Sequence, residues 1–137
     1  MTTEGAGQQL PRGARITASD EIRALFRRGK RRKTRHLDAF VSPSPVSHAR
    51  LGLVVPKPRA KALGLQGKRV PAAGVQRNRL KRRLRELGRT VVLPRLREQG
   101  RAVDLLLRAR PEAYSASFEA LREELLRLTE ELCSSAR

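Results

Sequence analysis

The sequence is short of several residue types, and each shortage excludes a class of protein. Cys133 is the only cysteine, so no disulfide can form within the chain, which suits a reducing cytoplasm. No apolar run approaches the roughly 20 residues of a membrane-spanning helix, and no signal-peptide pattern is expected in the first ten residues. Tryptophan is absent and aromatic residues make up 3% of the chain, so leucine, valine and alanine must build the core.

Side-chain combinations that carry out catalysis or bind metal ions are also missing from the sequence. His36 and His48 have no cysteine or histidine at metal-ligand spacing. The acids form no paired-carboxylate motif, and no Ser/His/Asp arrangement is present. We therefore expect no catalytic residue in the protein, and no metal ion or cofactor bound by the protein alone.

Acidic residues are few and unevenly placed. The 13 Asp and Glu residues stand against 31 Lys and Arg, which gives a net charge of +18. Residues 112–137 hold six acids and three arginines, a net charge of −3, so the preceding 111 residues carry +21. Clustered positive charge of this size predicts a polyanionic partner.

The length of the chain predicts one domain. Residues 1–15 have almost no apolar content and are expected to form a disordered arm, followed by the domain at residues 16–134. Apolar periodicity within the domain predicts the order helix, strand, strand, helix, strand, helix, and allows a further short strand before Leu37. This order predicts an α+β fold, a single sheet of about four strands with three helices packed against it.

Local signals set the boundaries of these elements. The first predicted helix is capped by Ser19 and ended by Gly29, and two strands follow at 36–41 and 50–55. A second helix is predicted from Val75 to about Leu93, with Pro94 just beyond it. A strand at 102–109 and a last helix capped by Ser115 or Ser117 complete the predicted elements. In the first strand, Leu37, Ala39 and Val41 fall on one face, and Asp38 and Phe40 on the other. The last helix has an apolar stripe of Phe118, Leu121, Leu125, Leu128 and Leu132.

Three segments are expected to lie outside these elements. Seven of the nine residues at 27–35 are basic, and this run is interpreted either as a solvated loop or as an RNA contact. Residues 42–45 read as a turn. Residues at about 58–73 form a basic, Pro- and Gly-rich loop.

The predicted helix that begins at Val75 carries the strongest functional signal. At about 100° per residue, Leu80, Leu84, Leu87 and Val91 form one narrow stripe. Cations and one amide lie on the opposite side, at Asn78, Lys81, Arg82, Arg85 and Arg89, while Arg77 and Arg83 flank the stripe. Only Glu86 offers an ionic partner to seven bases, so a nucleic-acid surface is favoured over a solvated basic face.

The string RNRLKR at residues 77–82 resembles the signature of the bacterial ribonuclease P protein component family. Three further segments resemble the family in the same order, at residues 26–31, 50–57 and 104–111. The resemblance runs from about residue 14 to residue 132. It departs from the family at Ile22, where a second cleft aromatic is usual, and at the inserted loop of residues 58–73.

The resemblance implies a helix–sheet sandwich with a left-handed β-α-β crossover, although general topology rules favour a right-handed one. It also implies two RNA-binding surfaces. The residues implied to bind RNA are Arg77, Asn78, Arg79, Lys81, Arg82, Arg85, Arg89 and Lys57. The residues implied to line a cleft for the single-stranded 5′ leader are Phe26, Phe40, Lys57, Lys81 and Arg85.

The function implied by the resemblance is that of the protein subunit of ribonuclease P, an endoribonuclease that matures the 5′ end of tRNA. Its partners would be ribonuclease P RNA and precursor tRNA, with no membrane contact. The protein would be a monomer within a cytoplasmic ribonucleoprotein. The RNA subunit would catalyse hydrolysis, using Mg²⁺ bound in the RNA-containing holoenzyme.

Two other functions are compatible with the composition. A ribosomal or other structural RNA-binding protein would have a similar size, charge and sheet–helix architecture. A DNA-binding protein could use the basic helix for recognition, but the tight helix-turn partner that normally precedes such a helix is absent.

Overall fold

The strands form one mixed sheet. The computed structural model describes residues 12–58 and 73–135. Residues 1–11 of the predicted arm lie outside the described residues, and so does almost all of the loop predicted at about 58–73. The strands are β1 (Lys30–Lys33), β2 (Leu37–Pro43), β3 (Arg50–Val54) and β4 (Val103–Ala109). Their spatial order is β1-β2-β4-β3, with antiparallel pairing except between β3 and β4, which are parallel.

Three helical bodies pack on this sheet, which confirms the predicted α+β fold. The helices are α1 (Ser19–Arg28), α2 (Ala73–Leu87), α3 (Leu93–Glu98) and α4 (Phe118–Ser135). A π-helical turn, Gly88–Val92, joins α2 to α3, so these two form one continuous body. This helical body lies in the chain between the parallel strands β3 and β4, so it forms the crossover of a β-α-β unit. The left-handed sense of this crossover stays a prediction.

The predicted end of the basic helix near Leu93 is wrong, because helical structure continues to Glu98. The Leu93 N–H bonds to the carbonyl of Gly88, five residues back, and Pro94 then falls in the first turn of α3. A proline is tolerated there because its missing N–H is not needed for a helical bond. A Cβ at Gly88 would lie 2.2 Å from a methyl carbon of Leu51, so glycine allows the turn to approach β3 closely.

The helix caps are only partly as predicted. Ala18, rather than Ser19, occupies the cap position of α1 and makes no side-chain cap bond, while Asp20 and Glu21 supply acids to the first turn. At α4, Ser117 is the capping residue, since its Oγ accepts the Ala120 N–H at 3.0 Å.

Strand pairing extends into segments that were predicted to be irregular. Within the basic run, Lys30–Lys33 form the edge strand β1, which is the further short strand that the sequence allowed before Leu37. The loop interpretation is therefore wrong for these four residues. The turn predicted at residues 42–45 begins later, because Pro43 still pairs with Val103. Near the N-terminus, Arg15 bridges Leu51 and Ala14 is buried, so residues 12–15 pack on β3 instead of belonging to a disordered arm.

The two faces of the sheet bury different clusters, as the predicted alternation along β2 requires. Leu37 and Ala39 join the main core with α2, α3 and α4. Phe40 joins a smaller cluster beneath α1 that includes Leu25 and Leu106. In α4 the predicted stripe is buried except at its first residue, since Phe118 is 37% exposed.

Candidate nucleic-acid interface

Buried leucines hold α2 against the sheet and turn its polar side outward. Leu80, Leu84 and Leu87 are between 0% and 4% exposed. The predicted RNA-binding residues differ in exposure: Asn78, Arg79 and Arg82 are exposed, whereas Arg77, Lys81, Arg85 and Arg89 are half-buried. The exposed three therefore form the outer face of α2, which projects from a rigid support.

Two of the predicted RNA-binding arginines bond within the protein. Arg77 Nε donates to the carbonyl oxygen of Val55 at 2.6 Å, which ties the first turns of α2 to the end of β3. Arg89 Nη2 donates to Glu86 Oε2 at 2.6 Å. A charge-assisted bond to the backbone fixes the guanidinium of Arg77, so its first role in the structure is to position α2.

A groove separates α1 from α2 above the edge strand β3. It encloses a cavity of about 360 Å³, whose lining includes Ile22 of α1, Leu53 of β3, and Lys81 and Arg85 of α2.

The predicted leader residues Lys81 and Arg85 thus share a groove with Ile22, the position where the family usually has an aromatic. Ile22 gives the groove an apolar wall but no flat stacking surface.

The two predicted cleft aromatics meet beside this groove. The rings of Phe26 and Phe40 pack edge to face, with centroids 4.9 Å apart. Phe40 is 7% exposed, whereas Phe26 is half-buried. The guanidinium carbon of Arg108 lies 5.7 Å from the centroid of the Phe26 ring, a cation–π contact. Phe40 therefore supports Phe26, and Phe26 with Arg108 offers the accessible planar surfaces.

The fifth predicted cleft residue, Lys57, lies in a second cavity of about 350 Å³. Arg31, Asp38, Arg108 and Tyr114 also line this cavity. Because Arg108 also contacts Phe26, it connects the second cavity to the aromatic pair. The structure thus distributes the five predicted cleft residues along a path and does not gather them in one cavity.

Tyr114 fixes the chain segment that carries Lys57. Its hydroxyl donates to the carbonyl oxygen of Pro56 at 2.5 Å. Burial raises the pKa of the Tyr114 phenol, so the hydroxyl keeps the proton that it donates. The sequence analysis identified neither Tyr114 nor Arg31 and Arg108 as site residues. Side chains alternate along β4, so Arg108 lies on the same face of the sheet as Leu106. This alternation is the sequence signal that could have identified Arg108 as a site residue.

A buried ion-pair cluster positions α1 over the sheet. Arg50 Nε and Nη2 donate to the two carboxylate oxygens of Asp104 at 2.9 and 2.7 Å, and Nη2 also donates to Glu21 of α1 at 3.1 Å. The bond to Asp104 is the main reason that the pKa of Arg50 lies above its usual range. Because Glu21 and Phe26 belong to the same helix, α1, this cluster helps to set the position of the aromatic pair.

Residues 12–58 and 73–135 contain neither a metal-binding cluster nor a membrane-spanning helix. Within these ranges, no three His, Cys, Asp or Glu side chains come together in a way that could hold a metal ion. No helix in the same ranges is long and apolar enough to cross a membrane.

Comparison with known proteins decides the family. A family model described as Ribonuclease P matches residues 10–133. The chain belongs to the ribonuclease P protein component family. The protein component from Syntrophobacter fumaroxidans is 34% identical over 112 residues, which is 82% of each chain. That from Acidothermus cellulolyticus is 32% identical over 121 residues, covering 87% of this chain and 88% of the relative.

Solved ribonuclease P proteins share the fold. The protein from Staphylococcus aureus matches with a TM-score of 0.61 at 20% identity, covering 88% of this chain and 95% of that one. The protein from Thermotoga maritima matches with a TM-score of 0.60 at 24% identity, covering 85% and 96%. Family membership makes this chain the protein component of a ribonucleoprotein nuclease of tRNA processing, associated with ribonuclease P RNA.

Proposed function

We propose that this chain is the RNA-binding subunit that holds the catalytic RNA of ribonuclease P on the outer face of α2 and the 5′ leader of precursor tRNA beside it. The observation that carries the proposal is the adjacency of two cationic surfaces on one rigid helix. Asn78, Arg79 and Arg82 project outward from α2, while Lys81 and Arg85 of the same helix enter the groove toward α1.

The outer face of α2 suits a structured RNA. Arginine forks bind phosphate in a bidentate manner, and Asn78 adds a donor and an acceptor for a sugar hydroxyl or base edge. The leucine stripe fixes the helix, so little conformational freedom is lost when the RNA docks.

The groove and the aromatic pair suit a single strand. Cations along the path follow phosphates, and the planar groups of Phe26 and Arg108 stack bases without a sequence preference. A leader of variable sequence needs this kind of contact, since each base presents a flat face.

Hydrolysis is assigned in this proposal to the RNA subunit and its Mg²⁺. The protein contributes cationic side chains in this proposal. Its cations reduce repulsion between the phosphates of leader and catalytic RNA, which is also what free Mg²⁺ does. We further propose that this protein is a monomer within a cytoplasmic ribonucleoprotein.

Reconstitution tests this function. Carefully RNA-free protein should not cleave precursor tRNA alone, and it should stimulate cleavage by ribonuclease P RNA most at low Mg²⁺. The double substitution Arg79→Ala/Arg82→Ala should weaken binding to that RNA by at least about tenfold, because each charged contact is worth a factor of this order.

A matched control removes two exposed arginines elsewhere, Arg97→Ala/Arg122→Ala, from α3 and α4. The control should bind the RNA like the wild type. Cleavage by the protein alone would overturn the assignment of hydrolysis, and equal losses in both double variants would overturn the assignment of the α2 face.

A further inference from the structure

A third cationic cavity lies on the face of the sheet opposite α1. It has a volume of about 440 Å³, within the roughly 300–1,000 Å³ of ligand-binding pockets. Its floor is apolar and consists of Val41, Leu96, Val103 and Leu132. Its cations are Arg28, Lys30, Arg32 and Arg101. The floor belongs to, or packs against, the main core, so this cavity is separate from the cluster beneath α1.

The pairing of β1 explains why cations reach this face. Lys30 is opposite Val41 in the β1–β2 register, and Arg31 is opposite Phe40. Since side chains alternate along a strand, Lys30 and Arg32 point with Val41 toward the third cavity, and Arg31 points toward Asp38 on the leader side. The short edge strand therefore supplies cations to both faces of the sheet.

The four cations differ in how they are held. Arg101 Nη2 donates to the carbonyl oxygen of Cys133 at 2.6 Å, which fixes its guanidinium before any ligand arrives. Arg32 forms an ion pair with Glu131 at 3.5 Å. Arg28 and Lys30 are exposed. None of the described residues that line the cavity is acidic, so the lining carries an excess of positive charge.

An apolar floor under a cationic rim defines the chemistry of the ligand. A nucleotide satisfies both parts, because its base can lie on the apolar floor while its phosphate meets the rim. Inorganic phosphate leaves the floor uncovered, and an apolar peptide leaves the cations without partners.

We infer that this cavity binds an unpaired nucleotide of an RNA chain, as a third contact in addition to the α2 face and the leader groove. The choice of RNA as the source of the nucleotide rests on the proposed function. RNA bound in this way would contact both faces of the sheet by passing the exposed β1 edge.

The test is a titration of the full chain, labelled with ¹⁵N, with a single-stranded adenosine pentanucleotide. Backbone amide signals of Val41, Ser42 and Val103 report on the third cavity, while those of Ile22 and Phe26 report on the leader side. We expect saturable shifts in the cavity signals. Arg28→Ala/Lys30→Ala should weaken that binding by about tenfold or more and leave the leader-side signals responsive.

The control variant Arg97→Ala/Arg122→Ala removes the same charge outside the cavity and should retain the cavity shifts. A parallel titration with inorganic phosphate alone should give weaker binding at the cavity. Static cavity signals, equal losses in the two variants, or equal affinity for phosphate would each overturn the inference. The proposed function is tested separately, by movement of the leader-side signals and by the support of precursor-tRNA cleavage.

Discussion

Replacing Arg50 with methionine should destabilise the protein strongly. The guanidinium bonds to both carboxylate oxygens of Asp104, and the two side chains are 12% and 8% exposed. The substitution keeps much of the volume of Arg50 but leaves the Asp104 carboxylate buried without its cation. Removing one partner of a buried ion pair costs about 3–5 kcal/mol, which for a chain of this length lowers the midpoint of thermal unfolding by roughly 10–20 °C.

The chain contains a matched control for burial. Arg95 also bonds to a carboxylate through two nitrogens, Nε to Glu130 Oε2 at 2.6 Å and Nη2 to Oε1 at 3.1 Å, but these side chains are 38% and 51% exposed. Solvent screens this exposed pair, so Arg95→Met should lower the free energy of unfolding far less than Arg50→Met does.

Urea unfolding followed by circular dichroism measures both effects. A third variant, Arg50→Met/Asp104→Leu, removes both charges and should regain most of the lost stability, because no uncompensated charge remains. Equal losses in the Arg50 and Arg95 variants, or no recovery in the double variant, would refute the argument that burial sets the energy of this pair.

Further substitutions separate folding from RNA binding. Arg77→Ala should lower the free energy of unfolding by about 1.5–3 kcal/mol, measured by urea unfolding, because a charged bond to the backbone is lost; Arg79→Ala should instead weaken only RNA binding. Phe26→Ala and Lys81→Ala should weaken binding of precursor tRNA with a long leader and leave binding of a minimal-leader substrate unchanged. In a salt series, only Lys81→Ala should reduce the salt slope, by roughly 0.7 per lost phosphate contact. Gly88→Ala should destabilise by about 1–3 kcal/mol in urea, because its Cβ meets a β3 side chain.

Periodic elements could be predicted from the sequence because their signal is local. The leucine stripe of α2 and the alternation of β2 each repeat with the period of the element, and both are buried as expected. The strand β1 has no such signal, since all four of its residues, Lys30–Lys33, are basic. It forms because β2 offers an edge for pairing, which is a tertiary cause.

The candidate site was less predictable because its contacts join distant segments. Arg77 bonds to a carbonyl 22 residues earlier in the chain, and Arg108 reaches Phe26 across the sheet. Helical geometry places a residue on a face, but it does not reveal whether a neighbouring element supplies a partner. The family resemblance indicated a candidate region, which stays a prediction, while the structure shows which of its cations already bond to the protein.

Three acids of this basic chain have nearly buried side chains that bond within the fold. Asp38, Asp104 and Glu124 have side chains 10%, 8% and 11% exposed, and each bonds to a cation or a histidine in the fold. On α2, by contrast, Glu86 is the only acid, and it pairs with Arg89. The other α2 cations therefore repel one another, which opposes folding. A polyanion on the α2 face removes this repulsion, so RNA binding should stabilise the fold by an amount that its affinity and concentration set.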